Sequence, residues 1–220
     1  MKIILLGSNG LVGKEFKKYF ENKYELIAVD IDQLDLNNEN DVKSFFKINK
    51  ADILINLFGK NEHVSIEKNL SNNTLDISED EIMDYFKINT LLLFRVCREF
   101  IKNNKKGKIF NFSSIYGHHV PNPKYYEGNH KNIGYSLSKS ASVMLTKFLA
   151  VHFNDFEIID IVIGGVENEQ NEIFKEKYIS DVPKRRMLDK KEIPVIIEGL
   201  FKSNYITGTS IFIDGGKNLM

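Results

Sequence analysis

The sequence predicts a single doubly wound α/β domain with a parallel sheet, spanning residues 1–220. Short apolar segments alternate with helical patterns along the whole chain, which is typical of βαβ units with right-handed crossovers. Most of the apolar segments are continuous rather than alternating, as strands are when helices cover both faces of their sheet. A glycine-rich turn joins the first strand to the first helix, as in many folds of this class.

Strands are predicted where short runs rich in branched and aromatic apolar residues are bounded by polar residues or glycine. In chain order they are KIILL, ELIAV, DILINLF, GKIFNF, FEIIDIVI and SIFIDG. Helices are predicted where apolar residues recur at three- and four-residue spacing. In chain order they are LVGKEFKKYF, NDVKSFFKI, SEDEIMDYFKINTLLLFRVCREFIKN, SLSKSASVMLTKFLAVHF and KEIPVIIEGLF. Ser78 and Glu81 form a capping box that begins the long third helix.

Three longer segments lie between these elements, at residues 60–79, 115–133 and 166–187. The first is polar and predicts a loop with a helical turn. Long irregular segments in a compact domain usually belong to an active site or its lid. We therefore expect residues 115–133 to form a substrate loop and residues 166–187 to form a lid.

Composition excludes several classes of protein. The 220 residues include 30 basic and 30 acidic side chains, so no net charge favours nucleic acid or an anionic membrane. The single cysteine, Cys97, excludes an internal disulfide and a cysteine-based zinc cluster, and no metal site is expected. The start MKIILLGSNG is too short for a signal peptide, and no apolar run approaches the ~20 residues of a membrane span. We expect a cytoplasmic protein.

The turn GSNGLVG follows the first strand and opens the first helix. Glycine allows a tight turn and a close approach to a pyrophosphate, whose charge is stabilised at a helix N-terminus. A tight βα turn without a ligand is the alternative. The predicted dinucleotide-binding residues of this turn are Gly7, Ser8, Asn9, Gly10, Leu11 and Gly13.

Two carboxylates follow the second strand. Asp30 ends that strand, where it can accept hydrogen bonds from the adenosine ribose and would repel the 2′-phosphate of NADP. No arginine follows it, so NAD is favoured over NADP. Asp35 and Leu36 are predicted to border the adenine, and a turn or helix-capping role for Asp35 is an equal alternative.

The ordered motifs GSNGLVG, NLFG, KINTLLLF, NFSSIYG, YSLSK and ITGTSIFIDGG cover nearly the whole chain. In this order and spacing the chain resembles the short-chain dehydrogenase/reductase family. The resemblance implies a Rossmann fold and hydride transfer between NAD(P) and an alcohol or carbonyl. It also implies a homodimer or homotetramer paired through the long third helix and the helix after Tyr135, both of which are apolar on more than one face.

By this resemblance Tyr135 is the general acid/base, and Lys139 both supports it and binds the nicotinamide ribose. The two lie one helical turn apart and share a face. The pKa of a free tyrosine is about 10, and a neighbouring ammonium is expected to lower that pKa towards neutrality. A packing tyrosine and a solvated lysine are the structural alternatives.

The resemblance assigns further roles by position. Ser114, with Ser113 as its alternative, holds the reacting substrate oxygen, and Asn89 organises a proton-relay water. Asn56 and Gly59 line the cofactor. Gly164 and Val166 belong to the nicotinamide end of the cofactor site.

Several positions depart from the compact members of the family. Leu6 stands where a threonine is usual, and the even glycine spacing is more similar to sugar-nucleotide-modifying members. Residues 56–59 read Asn-Leu-Phe-Gly instead of Asn-Asn-Ala-Gly. Ile163 replaces a common proline and no threonine follows Gly165, which weakens the expected contacts to the nicotinamide amide.

The segment 115–133 is longer than in compact members, and its motifs resemble oxidoreductases of bacterial nonulosonic acid and cell-surface glycan pathways. A hydroxyl-rich, sugar-like substrate is therefore expected. The predicted substrate-binding residues are Tyr116, His118, Tyr126 and Glu127. A surface loop with incidental histidines is the alternative for His118. Basic residues 184–186 could bind an oxyanion, although a solvated charge run is favoured.

The leading hypothesis is an NAD(P)-dependent oxidoreductase. A non-catalytic NAD(P)-binding regulator of the same fold is one alternative, disfavoured by the intact set Asn89, Ser114, Tyr135 and Lys139. A sugar epimerase or dehydratase that uses NAD transiently is another. It is disfavoured because only a short segment follows Lys139, too short for an added substrate domain.

Overall fold

The computed structural model describes residues 1–62, 74–126 and 130–220 and shows a six-stranded, fully parallel sheet. The strands are β1 (Lys2–Leu6), β2 (Glu25–Val29), β3 (Ile53–Asn56), β4 (Gly107–Phe112), β5 (Phe156–Ile163) and β6 (Ser210–Ile213), in the order β2-β1-β3-β4-β5-β6. All six predicted strands are confirmed. The strand order reverses between β1 and β3, so a crevice opens at the carboxyl ends of these two strands.

Helices cover both faces of the sheet, which confirms the doubly wound α/β fold. They are α1 (Gly13–Phe20), α2 (Glu39–Ile48), α3 (Glu79–Phe86), α4 (Leu93–Asn103), α5 (Ile133–His152), α6 (Glu172–Ser180) and α7 (Glu192–Gly199). Ser78 caps α3 by accepting a hydrogen bond from the backbone N–H of Glu81. No helix of these described residues has the length and apolar character required to cross a membrane.

Two details differ from the sequence prediction. The long third helix is divided, because a π-helical turn at Lys87–Leu92 separates α3 from α4. Segment 166–187, predicted as irregular, contains α6, which begins at an Asn171 cap. Charged residues interrupt the apolar periodicity of α6. Its stability comes from packing Phe174 and Tyr178 against Tyr125 and Tyr126.

The core lies in two layers, one on each face of the sheet. Ile4, Leu54 and Ile109 pack against α2, α4 and α5, whereas their strand neighbours face α1 and α7. A third apolar cluster joins segments 115–133 and 166–187 through Tyr125 and Tyr178. The two predicted active-site segments therefore pack against each other at one end of the sheet.

Candidate active site

The glycine turn after β1 is drawn tightly against the end of β3. Gly7 has a φ of +83°, and its N–H donates a hydrogen bond to the Val29 carbonyl at 3.0 Å. A Cβ on Gly7 would lie 2.6 Å from the Phe58 nitrogen, and a Cβ on Gly13 would lie 2.1 Å from the Gly7 oxygen. A Cβ on Gly10 would meet only the Gly7 oxygen at 3.5 Å. The turn therefore requires glycine at its two ends and leaves open space at its middle.

A cleft of about 510 Å³ runs over this turn along the carboxyl ends of β1, β2 and β3. It is lined by Leu6, Gly7, Gly10, Val29, Asp30, Ile31, Leu34, Asp35, Leu36, Asn37, Leu57, Phe58, Gly59, Lys60, Glu62, Ile88 and Leu92. Six of the predicted cofactor residues, Gly7, Gly10, Asp30, Asp35, Leu36 and Gly59, are among them. The cleft is long, partly apolar and open, which suits a dinucleotide.

Asp30 lies at the end of β2 and is fixed in position by backbone hydrogen bonds. Its Oδ2 accepts from the N–H of Asn9 at 2.7 Å, and its Oδ1 accepts from the N–H of Ile31 at 2.8 Å. Asn9 thus connects the glycine turn to this carboxylate. Ser8 is buried and Leu11 is half-buried, so both support the turn.

Asp35 is held in a turn at the edge of the cleft. Its Oδ1 accepts hydrogen bonds from the backbone N–H and the side-chain amide of Asn37, both at 2.9 Å. These bonds hold the pKa of the Asp35 carboxyl below its ordinary value. The residue forms a side-chain turn and also borders the cleft, where Leu36 lies beside it.

Asn56 does not line the cleft. Its side-chain amide donates to the Asn111 oxygen at 2.8 Å and lies 3.6 Å from the Cys97 sulfur, within the layer below α4 and α5. Burial raises the pKa of the Cys97 thiol to about 12, which fits a packing residue rather than a nucleophile. Gly59 instead lies at the catalytic end, where a Cβ would sit 3.4 Å from the Lys139 nitrogen.

Asn89 lies in the π-helical turn and connects the cofactor segment to α5. Its Oδ1 accepts from the Lys60 N–H at 2.7 Å, and its Nδ2 donates to the Lys60 carbonyl at 3.1 Å and to the Ser138 hydroxyl at 3.0 Å. The Ser138 hydroxyl donates in turn to the Tyr135 carbonyl at 3.0 Å. Sequence reasoning missed Ser138, although it lies on the buried face of the helix that carries Tyr135.

Lys139 is buried, and its ammonium donates to the Phe112 carbonyl at 2.8 Å. Burial lowers the pKa of Lys139 to about 8, opposed by the Asp160 carboxylate. Tyr135 is also buried, which raises its pKa, while the Ser114 hydroxyl acts in the opposite direction. The pKa of Tyr135 is therefore raised by burial, contrary to the lowering expected from a neighbouring ammonium, and the phenol stays protonated at neutral pH.

Ser114 lies directly after β4, beside Tyr135. Its hydroxyl oxygen accepts from the Tyr116 N–H at 3.2 Å, which fixes the oxygen and leaves the hydroxyl hydrogen to donate elsewhere. Ser113 is buried and its hydroxyl has no hydrogen-bond partner among the described residues. Of the two serines, Ser114 is the one whose hydroxyl is oriented next to Tyr135.

Two of the predicted substrate residues come together. The Tyr126 hydroxyl donates to the Tyr116 hydroxyl at 3.1 Å, and burial raises the pKa of Tyr126 to about 12, with Tyr135 close enough to contribute. His118 does not join them, since its Nε2 lies 3.6 Å from Asp160 and its ring packs on Phe212. Its side chain is directed towards the sheet. The fourth predicted residue, Glu127, lies outside the described residues.

Lys131, which sequence reasoning did not identify, lies at the opening of this site. Its ammonium is 4.6 Å above the Tyr135 ring and donates to the Asn61 side chain and to the Glu62 carbonyl, both at 2.5 Å. Burial lowers the pKa of Lys131 to about 8. Lys131 thus joins segment 115–133 to the segment after β3.

Gly164 and Val166 follow β5 but do not border the cleft. The Gly164 N–H donates to Ile213 at 3.0 Å, and Val166 pairs with Leu188 as an isolated bridge. The Gly165 N–H donates to the Tyr178 hydroxyl at 2.7 Å, which fixes the start of segment 166–187. Both predicted cofactor positions lie at the carboxyl end of β5, outside the residues that line the cleft.

The basic run at 184–186 is mostly engaged in structural contacts. Arg186 forms a two-point ion pair with Glu192 at 2.7 and 2.8 Å. Arg185 donates to the Ser180 carbonyl at the end of α6. These contacts favour the structural interpretation over an oxyanion site. Across the described ranges, no cluster of three or more His, Cys, Asp or Glu could hold a metal ion.

Known proteins share both the sequence pattern and this architecture. A family described as Enoyl-(Acyl carrier protein) reductase matches residues 12–218. 3-Oxoacyl-[acyl-carrier-protein] reductase FabG of Buchnera aphidicola is 26% identical over 94% of the chain and 83% of its own length. Post-translational flagellin modification protein A of Campylobacter coli is 25% identical over 99% of the chain and 98% of its own length. The structure of 4-hydroxyisoleucine dehydrogenase complexed with NADH superposes with a TM-score of 0.84 at 26% identity, covering 100% of each chain.

Proposed function

Because the chain belongs to the short-chain dehydrogenase/reductase family and is an NAD(P)-dependent oxidoreductase, we propose that it transfers hydride to or from a small, polar, sugar-like alcohol or carbonyl compound. The observation that carries this proposal is the convergence of Ser114, Tyr135 and Lys139 on one end of the cleft, next to Gly59. Asn89 connects that end to the helix of Tyr135.

The described residues fit a dinucleotide along the cleft. The glycine turn offers backbone N–H groups and open space at Gly10, at the start of α1, where a pyrophosphate is stabilised. Asp30 would accept the adenosine ribose hydroxyls, and Lys139 would contact the other ribose. A carboxylate at Asp30 supports NAD over NADP. When bound, the nicotinamide supplies or receives the hydride.

The side chains of the protein donate and accept the proton that accompanies hydride transfer. In the reducing direction the Ser114 hydroxyl donates a hydrogen bond to the substrate carbonyl oxygen, and Tyr135 gives its phenolic proton to that oxygen as the alcohol forms. The Lys139 ammonium stabilises the resulting phenolate. In the oxidising direction the same groups act in reverse. Burial of Tyr135 and Lys139 excludes water from these transfers.

The substrate loop supports a hydroxyl-bearing substrate. The Tyr126 hydroxyl lies near Tyr135 and donates to the Tyr116 hydroxyl, and such groups discriminate strongly for substrates that satisfy their hydrogen bonds. The relative named as a post-translational flagellin modification protein is compatible with a role in protein modification. The relative named as a 3-oxoacyl-[acyl-carrier-protein] reductase favours an acyl thioester as the substrate instead. We propose that residues 115–133 form the substrate loop and 166–187 the lid, because Tyr125 and Tyr178 pack them together.

A substrate panel tests this proposal. Sugars, amino sugars and their keto forms are compared with a 3-oxoacyl thioester, with NAD(H) and NADP(H), by absorbance at 340 nm. We expect kcat/KM to be at least about tenfold higher for a sugar-like substrate than for the thioester. Turnover of the thioester alone would contradict the substrate class. Substrate conversion without net change in NADH would identify an epimerase or dehydratase, and cofactor binding without conversion a regulatory protein.

We also propose a homodimer or homotetramer, paired through α4 and α5. These helices and the adjoining π-helical turn expose a set of large apolar side chains, Leu91, Phe94, Leu137, Met144, Phe148 and Val151. Exposed apolar faces of this extent are typical of subunit contacts.

We expect Phe148→Glu to reduce the particle mass measured by light scattering by about half or more. The control Val195→Glu, at an exposed position of α7, should leave it unchanged, and an unaltered mass for Phe148→Glu would argue against this interface.

A further inference from the structure

The wall at the adenine end of the cleft is formed by a segment without regular secondary structure. Leu34, Asp35, Leu36 and Asn37 all border the cleft, and they follow β2, the edge strand of the sheet. The segment runs as turns and joins no strand. Its backbone positions must therefore be fixed by contacts other than a β ladder.

Besides the turn bonds within the segment itself, one such contact comes from α4. Arg95, half-buried in α4, donates through a single guanidinium nitrogen to the Leu36 carbonyl at 2.7 Å and to the Asn37 carbonyl at 2.8 Å. A guanidinium is always charged, and hydrogen bonds from a charged donor are stronger than neutral ones. The Arg95 charge also contributes to the lowered pKa of Asp35 in the same turn.

Arg95 connects two walls of the same slot. Leu92, three residues earlier on the helical run, borders the cleft, and Leu36 borders it from the segment after β2. Residues three apart lie on one face of a helix, so Leu92 and Arg95 face the same side. The hydrogen bonds from Arg95 thus set the separation between the Leu36 wall and the Leu92 wall.

We propose that Arg95 is a positioning residue that fixes the width of the adenine slot and so sets the affinity for the adenine half of the cofactor. The inference rests on the proposed cofactor site, because a slot of this kind has a role only if a dinucleotide occupies the cleft. It concerns the adenine end alone. The catalytic residues Tyr135, Ser114 and Lys139 make no contact with Arg95.

The test compares NADH with reduced nicotinamide mononucleotide, which lacks the adenine half. Dissociation constants are measured by the fluorescence of the reduced nicotinamide for the wild-type protein and Arg95→Met. We expect Arg95→Met to raise the dissociation constant for NADH by about tenfold or more and that for the mononucleotide by less than about twofold. Arg95→Lys should restore part of the NADH affinity, because an ammonium can donate to one or both carbonyls.

Arg98→Met is the matched control. Arg98 lies on the same helix and pairs with Glu39 of α2 at 2.9 Å, so its loss loosens α2 against α4 without touching the Leu36–Asn37 turn. Its NADH to mononucleotide affinity ratio should equal that of the wild type. An equal loss for both ligands, or no loss for either in Arg95→Met, overturns the role of Arg95 while leaving the cofactor site intact. A wild-type protein that binds neither ligand overturns both proposals.

Discussion

Replacing Tyr135 with phenylalanine is expected to lower kcat by about 10²- to 10⁴-fold, while the dissociation constant for NAD(H) changes by less than about twofold. The substitution removes the phenolic hydroxyl that we propose exchanges a proton with the substrate oxygen beside Ser114. It keeps the ring, which packs edge-on against Tyr85 at 6.2 Å, and so preserves the local core. Steady-state rates at 340 nm and nicotinamide fluorescence titrations measure the two quantities separately.

Tyr126→Phe is the matched control, since it also removes one phenolic hydroxyl close to the site. Tyr126 donates to Tyr116 and is assigned to substrate binding, so its loss should act mainly on KM. A wild-type kcat in Tyr135→Phe would show that another group supplies the proton. Equal kcat losses in both variants would show that the two hydroxyls act as one relay.

The strands could be predicted because strands buried on both faces of a parallel sheet require short, nearly continuous apolar segments in the sequence. β1 and β3 are nearly continuous runs of isoleucine and leucine, and β5 consists mainly of isoleucine and valine. The division of the long helix could not be predicted, because the Lys87–Leu92 segment is apolar at ordinary helical spacing. The π turn arises where the side chain of Asn89 bonds the Lys60 backbone, a contact distant in sequence.

In the candidate site, too, some features could be predicted from the sequence and others could not. Local spacing could predict the tight glycine turn after β1 and the shared buried face of Tyr135 and Lys139 on α5, because both depend on short-range geometry. Contacts between distant segments could not be identified from spacing. Asn56 turns towards Asn111 because the register of β3 and β4, rather than sequence order, places these two residues side by side. His118 follows β4 and faces Asp160 of the neighbouring strand β5, a contact that spacing along the chain does not reveal.

A large loss of stability is expected from adding a side chain to the glycine turn after β1. Gly13→Ala is expected to lower the free energy of unfolding by roughly 3 kcal/mol or more, because the added Cβ would lie 2.1 Å from the Gly7 carbonyl oxygen. That oxygen belongs to a backbone held by the hydrogen bond from Gly7 to Val29, so it cannot move without disturbing the turn. For a chain of this length the melting temperature should fall by roughly 6–12 °C.

Two glycine controls separate packing from ligand approach. At Gly199, near the end of α7, an added Cβ meets nothing within 4 Å, so Gly199→Ala should match or exceed wild-type stability by up to about 1 kcal/mol. At Gly10 the Cβ makes only an ordinary contact but projects into the cleft, so Gly10→Ala should keep its melting temperature and lose NADH affinity. Thermal unfolding and NADH titration of the three variants check both effects. If Gly13→Ala has the melting temperature of the wild type and binds NADH normally, the turn tolerates a side chain at position 13. Close packing would then not be the reason for glycine at this position.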